Sequence, residues 1–332
     1  MDYRPDIDGL RAVAIVPVLL FHAGVPGFSG GYVGVDVFFV ISGYLITRLI
    51  AGEMESGGFS LLRFYERRAR RILPALLLVL LACLPFAHLL LLPDQYADFA
   101  DSIDATLGFV SNFYFFGQTG YFEDDVGTMP LLHTWTLAVE EQFYVVFPLL
   151  LLAMRRGGRR GWLLVVVLLF ALSFATALYF STGDAAFYLS PARAWELMLG
   201  SLLALLHWTL RSRAVAAALA LVGLGMILAA VVSYDEATTP SSFALLLPCG
   251  GAALVILSGA GRAQPAGFAG SMLASRLPVA IGLISYSLYL WHWPVLVFLQ
   301  LWLLPEPLGI WALPALALCF VLATLSWRYV ER

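Results

Sequence analysis

RAVAIVPVLLFH, residues 11–22, sets a cation and an imidazole at the two ends of an apolar run interrupted only by Pro17. Eleven residues make almost three helical turns, so Arg11 and His22 fall on one helix face, roughly 16 Å apart along the axis. Ionisable groups in a segment apolar enough for a membrane are expensive and mark functional sites by default. Taken alone, the pair fits equally a cytoplasmic anchor followed by an interfacial histidine. Pro17 lacks a backbone donor and predicts a kink or a local break whose freed backbone groups need partners.

Outward from this stretch the chain stays apolar. Its 332 residues are 61% hydrophobic and 12% charged, with mean hydropathy +0.86. That excludes a soluble domain and predicts an all-α integral membrane protein. Hydrophobic stretches near 11–25, 31–51, 73–93, 131–154, 162–181, 192–208, 214–233, 242–260, 278–300 and 309–329 predict a bundle of ten transmembrane helices in one domain, 1–332. Segment 95–117, acidic at Asp98, Asp101 and Asp104 and aromatic from Phe109 to Phe116, is too interrupted to span and is expected along the outer interface. Residues 259–270 read as a flexible inner loop.

Cys83, Cys249 and Cys319 lie far apart without CxxC or zinc spacing, which predicts packing residues and neither a disulfide framework nor a metal site. The polar start, Asp2 to Leu10, offers no cleavage site, so the first helix is expected to serve as its own insertion signal. All nineteen basic residues are arginine. Arginine offers a bidentate fork to phosphate, although genome bias explains a lysine-free chain more readily.

Arginine counting gives the orientation. With the N-terminus cytoplasmic, the inner connections carry Arg63, Arg67, Arg68, Arg70 and Arg71, the RRGGRR turn at 155–160, Arg211, Arg213, Arg262 and Arg276. The outer connections carry Asp94, Asp98, Asp101, Asp104, Glu123, Asp124, Asp125, Asp184, Asp235, Glu236 and Glu306. Every arginine except Arg193 falls inside, and an even helix count returns the C-terminus to the cytoplasm.

On this topology the intramembrane polar groups gather in the outer half: His22, Asp36, Glu140, Arg193, Glu196 and His292, with Ser285 and Tyr286 near mid-depth. His133, Thr136, Glu140 and Tyr144 share one face of the fourth helix. Arg193 and Glu196 are i, i+3 neighbours that can form a structural ion pair. His292 and His133 also fit an interfacial aromatic belt, and His88 and His207 read as helix-end residues. Five arginines in the nine residues 63–71 exceed what topology requires, which points to anion binding. A carboxylate as deep as Glu140 must be paired, protonated or wet.

Longer motifs accompany these residues: RPDIDGLRAVAI…FH at 4–22, GGYVGVDVFFVISGYLIT at 30–47, FYERRARRILPAL at 64–76, SNFYFF at 111–116, PLLHTWTLAVEEQFYVVFPLL at 130–150, PARAWELMLG at 191–200 and ISYSLYLWHWP at 284–294. In this order, over nearly the whole chain, they resemble the acyltransferase-3 family of bacterial membrane O-acyltransferases. The resemblance implies an inner-membrane enzyme that transfers an acyl group, usually acetyl, from a coenzyme A thioester to a hydroxyl of an extracytoplasmic glycan. Acyl-CoA is then a substrate and no cofactor is permanently bound; membrane lipids are the surroundings, and nucleic acid is no partner. His22 matches the family's essential histidine, Arg11, Arg67, Arg68, Arg70 and Arg71 match positions tied to the donor, and Glu140 and Glu141 match its acidic pair. Members commonly continue past a segment like 326–332, so an esterase-like partner or fused domain beyond Arg332 is an expectation.

A thioester is already activated, so the enzyme must position an alcohol and remove its proton, a task suited to histidine. His22 is expected as base or as acyl carrier, with Asp36 or Glu140 orienting its imidazole. Tyr144, Arg193, Glu196, Ser285, Tyr286 and His292 are expected to support the site or the acceptor. The competing class is a flippase for a lipid-linked glycan, with the polar cluster as its path and His22 as a proton relay. A non-catalytic scaffold would leave the buried carboxylates unexplained.

Overall fold

A computed structural model of the chain describes residues 3–118, 128–180, 183–206, 208–235, 242–261 and 265–331. Glu123, Asp124, Asp125, His207, Glu236, Arg262 and Arg332 lie outside the described residues. Those described form fifteen α-helices and no strand. In chain order they are α1 (Pro5–His22), α2 (Gly34–Glu55), α3 (Leu61–Leu90), α4 (Pro93–Leu107) and α5 (Ser111–Gln118). Then follow α6 (Thr134–Ala153), α7 (Gly158–Tyr179), α8 (Asp184–Tyr188), α9 (Ser190–Leu205) and α10 (Arg213–Ser233). The last five are α11 (Ser242–Ser258), α12 (Gly267–Leu273), α13 (Arg276–Leu283), α14 (Ser285–Leu303) and α15 (Ala312–Ser326).

Among the described residues, six helical stretches are long and apolar enough to cross a membrane: Gly31–Glu55, Leu61–Leu90, Thr134–Ala153, Arg155–Tyr179, Arg213–Ser233 and Gly309–Glu331. The pair α13 and α14, counted as one broken span, makes seven. This is a multi-pass membrane protein. The other three stretches of the ten expected are helical but fall short for physical reasons. α1 carries Asp6, Asp8 and Arg11. α9 has 16 residues and buries Arg193 and Glu196. The apolar part of α11, Phe243–Ser258, rises only about 24 Å against the roughly 30 Å of a hydrocarbon core.

Three local expectations are refined. Of the kink or break expected at Pro17, the break is absent, since α1 is helical through it. Segment 278–300 is interrupted at Ile284 instead of running as one helix. The end of the expected loop at 259–270 folds into the start of α12.

The helices group into two compact units. The first comprises Met1–Phe21, Pro26–Phe59 and Phe143–Leu283. Its tightest crossing joins α2 to α9, where glycines remove the side chains that would hold the backbones apart. A Cβ at Gly43 would collide with the Leu197 carbonyl, and one at Gly200 with that of Val40. The Thr47 hydroxyl donates to Ser201 Oγ at 2.8 Å in the same contact. Small residues and a buried hydroxyl pair are what helix association uses in lipid, where apolar area gives no advantage over the solvent. Trp195 is buried edge-on against Phe170 and Phe174 of α7.

The second unit comprises His22–Val25, Ser60–Gln142 and Ile284–Arg332. α14 is its spine. Tyr286 Oη donates to the Ile72 carbonyl of α3 at 3.0 Å, and Trp291 Nε1 donates to Ser326 Oγ of α15 at 2.8 Å. The interrupted 95–117 segment divides into α4 and α5 at Phe109, which has φ +52°. A left-handed conformation costs a bulky residue about 1–2 kcal/mol. It is held by Gln142, whose Nε2 donates to the Phe109 carbonyl and to Asn112 Oδ1, both at 2.9 Å.

Candidate functional site

The last residue of α1 belongs to the second unit, and its imidazole meets another. His22 Nδ1 lies 3.2 Å from His292 Nε2, with ring centroids 5.3 Å apart and planes inclined by only 24°. His292 is fully buried. Its Nδ1 lies 2.6 Å from the carbonyl oxygen of Tyr289, one turn earlier on α14. Trp293 packs edge-on to His22 at 4.7 Å, and its indole N–H donates to the Met129 carbonyl at 2.8 Å. His133 stands nearly perpendicular to His292 at 5.7 Å. Tyr289 Oη donates to the His133 carbonyl at 2.9 Å and is 2.7 Å from Thr136 Oγ1. Three imidazoles, two hydroxyls and an indole therefore share one polar knot. Among the described residues, no three His, Cys, Asp or Glu side chains are arranged to hold a metal ion.

A second group lies nearer the start of α14 in the same unit. The buried Glu141 is within electrostatic range of Arg68 and of its neighbour Glu140. Tyr286 is within range of Glu140, Glu141, Glu331 and Arg71. Glu140 is also within electrostatic range of Tyr289. Ser287 donates to Glu331, and Ser285 beside it is completely buried. The arginine run divides by environment. Arg67 and Arg68 are half-buried and Arg71 is exposed, whereas Arg70 pairs with Glu66 at 2.7 Å in an exposed i, i+4 bridge.

The remaining sequence-nominated residues belong to the first unit. Asp36 has a different partner from the imidazole expected. Its carboxylate is paired with Arg193 across the α2–α9 contact, and Arg193 Nη1 also lies 3.2 Å from Glu196 Oε1. All three side chains are 3% exposed or less. A buried guanidinium held by two carboxylates accounts for the one arginine that charge counting left off the inner connections, and the i, i+3 pair with Glu196 is as expected. Arg11 lies 3.4 Å from Asp8, which also accepts from the Tyr3 hydroxyl at 2.7 Å. Burial and the bond to Asp8 push the Tyr3 phenol up to about 12. Tyr144 is buried beside Phe143 on the far half of α6.

Tyr289, Trp293, Met129 and Glu331 were not nominated from the sequence. Tyr286, Tyr289 and Trp293 occur at i, i+3 and i+7, a one-face helical spacing that marks a polar stripe. Nothing comparable signals Met129, which contributes only its backbone, or Glu331, which follows the last hydrophobic stretch.

The fold and this polar knot define a helical membrane protein with a histidine-centred site. A family profile described as an acyltransferase domain matches residues 4–329, and the chain belongs to that family, acyltransferase-3. It is 36% identical over 335 residues to a protein of Komagataeibacter xylinus provisionally named membrane-bound transacylase BcsY, covering 99% of this chain and 82% of that one. It is 31% identical over 347 residues to the O-acetyltransferase OatA of Staphylococcus aureus, covering 99% of this chain but 57% of OatA. No solved structure matches the chain. Family and relatives together make the protein an acyltransferase of the membrane.

Proposed function

We propose that the protein moves an acyl group, acetyl foremost, from acyl-CoA on the cytoplasmic side of the bacterial inner membrane to a hydroxyl of an extracytoplasmic glycan. In this reading α1, α9 and α11 complete ten passages, and both termini face the cytoplasm. Arg67, Arg68, Arg70 and Arg71 supply charge-assisted hydrogen bonds to the CoA phosphates, and the α1 face bearing Arg11 receives the pantetheine arm.

The observation that carries the reading is the chain of contacts from Tyr289 through His292 to His22. A carbonyl oxygen only accepts, so the His292 Nδ1 beside it carries the proton. The neutral ring then offers Nε2 as an acceptor, and His22 Nδ1 donates to it. The lone pair of His22 is thereby on its own Nε2. As the acceptor oxygen attacks the thioester carbonyl, this nitrogen takes the hydroxyl proton; a C–O bond forms, the C–S bond breaks, and the proton passes to the departing CoA thiolate. Such base catalysis contributes about 10²–10⁴-fold. An acyl-imidazole route would use the same nitrogen as nucleophile.

The test is purified protein with radiolabelled acetyl-CoA and an envelope glycan extract, beside His22→Ala. Label should reach the glycan only with the wild type. Absence of both CoA binding and label transfer in the wild type ends the proposal.

A further inference from the structure

One cavity of the second unit is not used by the donor chemistry. It measures about 550 Å³ and lies between α4, Phe115 of α5 and residues 128–130. Asp94, Asp98 and Ser102 line it at i, i+4 and i+8, one stripe of α4. Gln95 joins them, with its Oε1 already accepting from the Leu92 amide at 3.1 Å. Phe99 and Phe115 supply apolar walls. Acceptors for hydroxyls together with aromatic side chains in the lining suit a pyranose, which offers O–H groups at its edge and C–H groups on its face.

The cavity is also tied to the imidazoles. Met129 stands in its wall. The Met129 carbonyl takes the Trp293 N–H at 2.8 Å, and the Trp293 ring meets His22 at 4.7 Å. One hydrogen bond and one ring contact therefore link the cavity wall to His22. Among its described lining residues the only charged ones are Asp94 and Asp98, so the field inside opposes an anionic sugar.

We propose that this cavity is the acceptor subsite, and that it takes uncharged or amine-bearing pyranosides and rejects uronic and other anionic ones. Its role as an acceptor site rests on the acyl-transfer reading, while its ligand chemistry stands apart from it. The probes are chitotetraose and tetragalacturonate, titrated calorimetrically against the full chain in detergent. Chitotetraose should bind saturably and tetragalacturonate at least tenfold more weakly. Asp94→Asn with Asp98→Asn removes both charges from the lining. It should weaken chitotetraose at least tenfold and erase the discrimination. Ala97→Trp fills the cavity from an exposed lining position and should abolish chitotetraose binding.

No saturable chitotetraose binding by the wild type, preference for tetragalacturonate, or unchanged affinity in both variants would overturn the assignment. Label transfer from acetyl-CoA with an unaltered glycan KM in Ala97→Trp would remove the subsite and leave the transferase standing. Variant-sensitive chitotetraose binding in a protein that never transfers label would support the sugar site and remove the transferase.

Discussion

His22 Nδ1 and His292 Nε2 stand 3.2 Å apart with nearly parallel rings, and the second imidazole is anchored to the backbone of its own helix at Tyr289. In the proposed mechanism His292 is the neutral acceptor that sets the tautomer of His22. His292→Phe removes the acceptor and should lower kcat for acetyl transfer by about 10²-fold or more, with the KM for acetyl-CoA unchanged. His292→Gln restores a neutral acceptor and should recover part of the rate. Equal kcat in the Phe variant and the wild type would show that His292 only fills space.

The Arg193 triad predicts a stability pattern independent of catalysis. Arg193→Met leaves two carboxylates buried without their cation and should destabilise by about 3–5 kcal/mol. Adding Asp36→Asn and Glu196→Gln removes the stranded charges and should return much of the lost Tm. Thermal unfolding in detergent reads the order wild type, triple variant, Arg193→Met. If the triple variant melts below Arg193→Met, the carboxylates are not held by the guanidinium.

Within the 67–71 run the environments divide the expected effects. Arg68 is within electrostatic range of Glu141 and Arg71 of Tyr286, whereas Arg70 is spent on an exposed bridge to Glu66. Arg68→Ala and Arg71→Ala should each raise the Kd for CoA at least tenfold, the scale of one charged hydrogen bond. Arg70→Ala should change it less than about threefold, as exposed pairs contribute about 0–1 kcal/mol. Equilibrium binding of CoA to the three variants decides it, and a dominant Arg70 effect would place the phosphates on the other face of α3.

Two glycines give a packing test with an internal control. Gly43→Ala pushes a methyl into the Leu197 backbone and should destabilise by about 1–3 kcal/mol. Gly225→Ala, with nothing within 4 Å of the new carbon, should be neutral or stabilising by up to about 1 kcal/mol. Tm values in one detergent compare them directly. A harmless Gly43→Ala would mean that α2 and α9 are not in backbone contact.

Hydropathy located the helices because each stretch carries its own signal, and that signal is weakest where length and charge compete. α1 has three charged residues beside its apolar run, and the break at Ile284 lies between residues that are ordinary in helices. The polar site was legible as a set of residues but not as a set of pairs. Arg193 with Glu196 could be read because three positions separate them on one helix. Asp36 with Arg193, and His22 with His292, are 157 and 270 positions apart, and only tertiary folding selects such partners. Depth alone therefore left Asp36 and Glu140 as equal candidates and did not indicate the Arg193 partner of Asp36.

Trp293 gives the molecule an optical consequence. Its ring centroid is 4.7 Å from that of His22, inside the roughly 6 Å over which a cation and an aromatic ring interact, so a charge on the imidazole should alter the indole emission. Of nine tryptophans, this one touches the imidazole proposed to take the proton. The fluorescence lost on Trp293→Phe is then a label-free record of when His22 is charged.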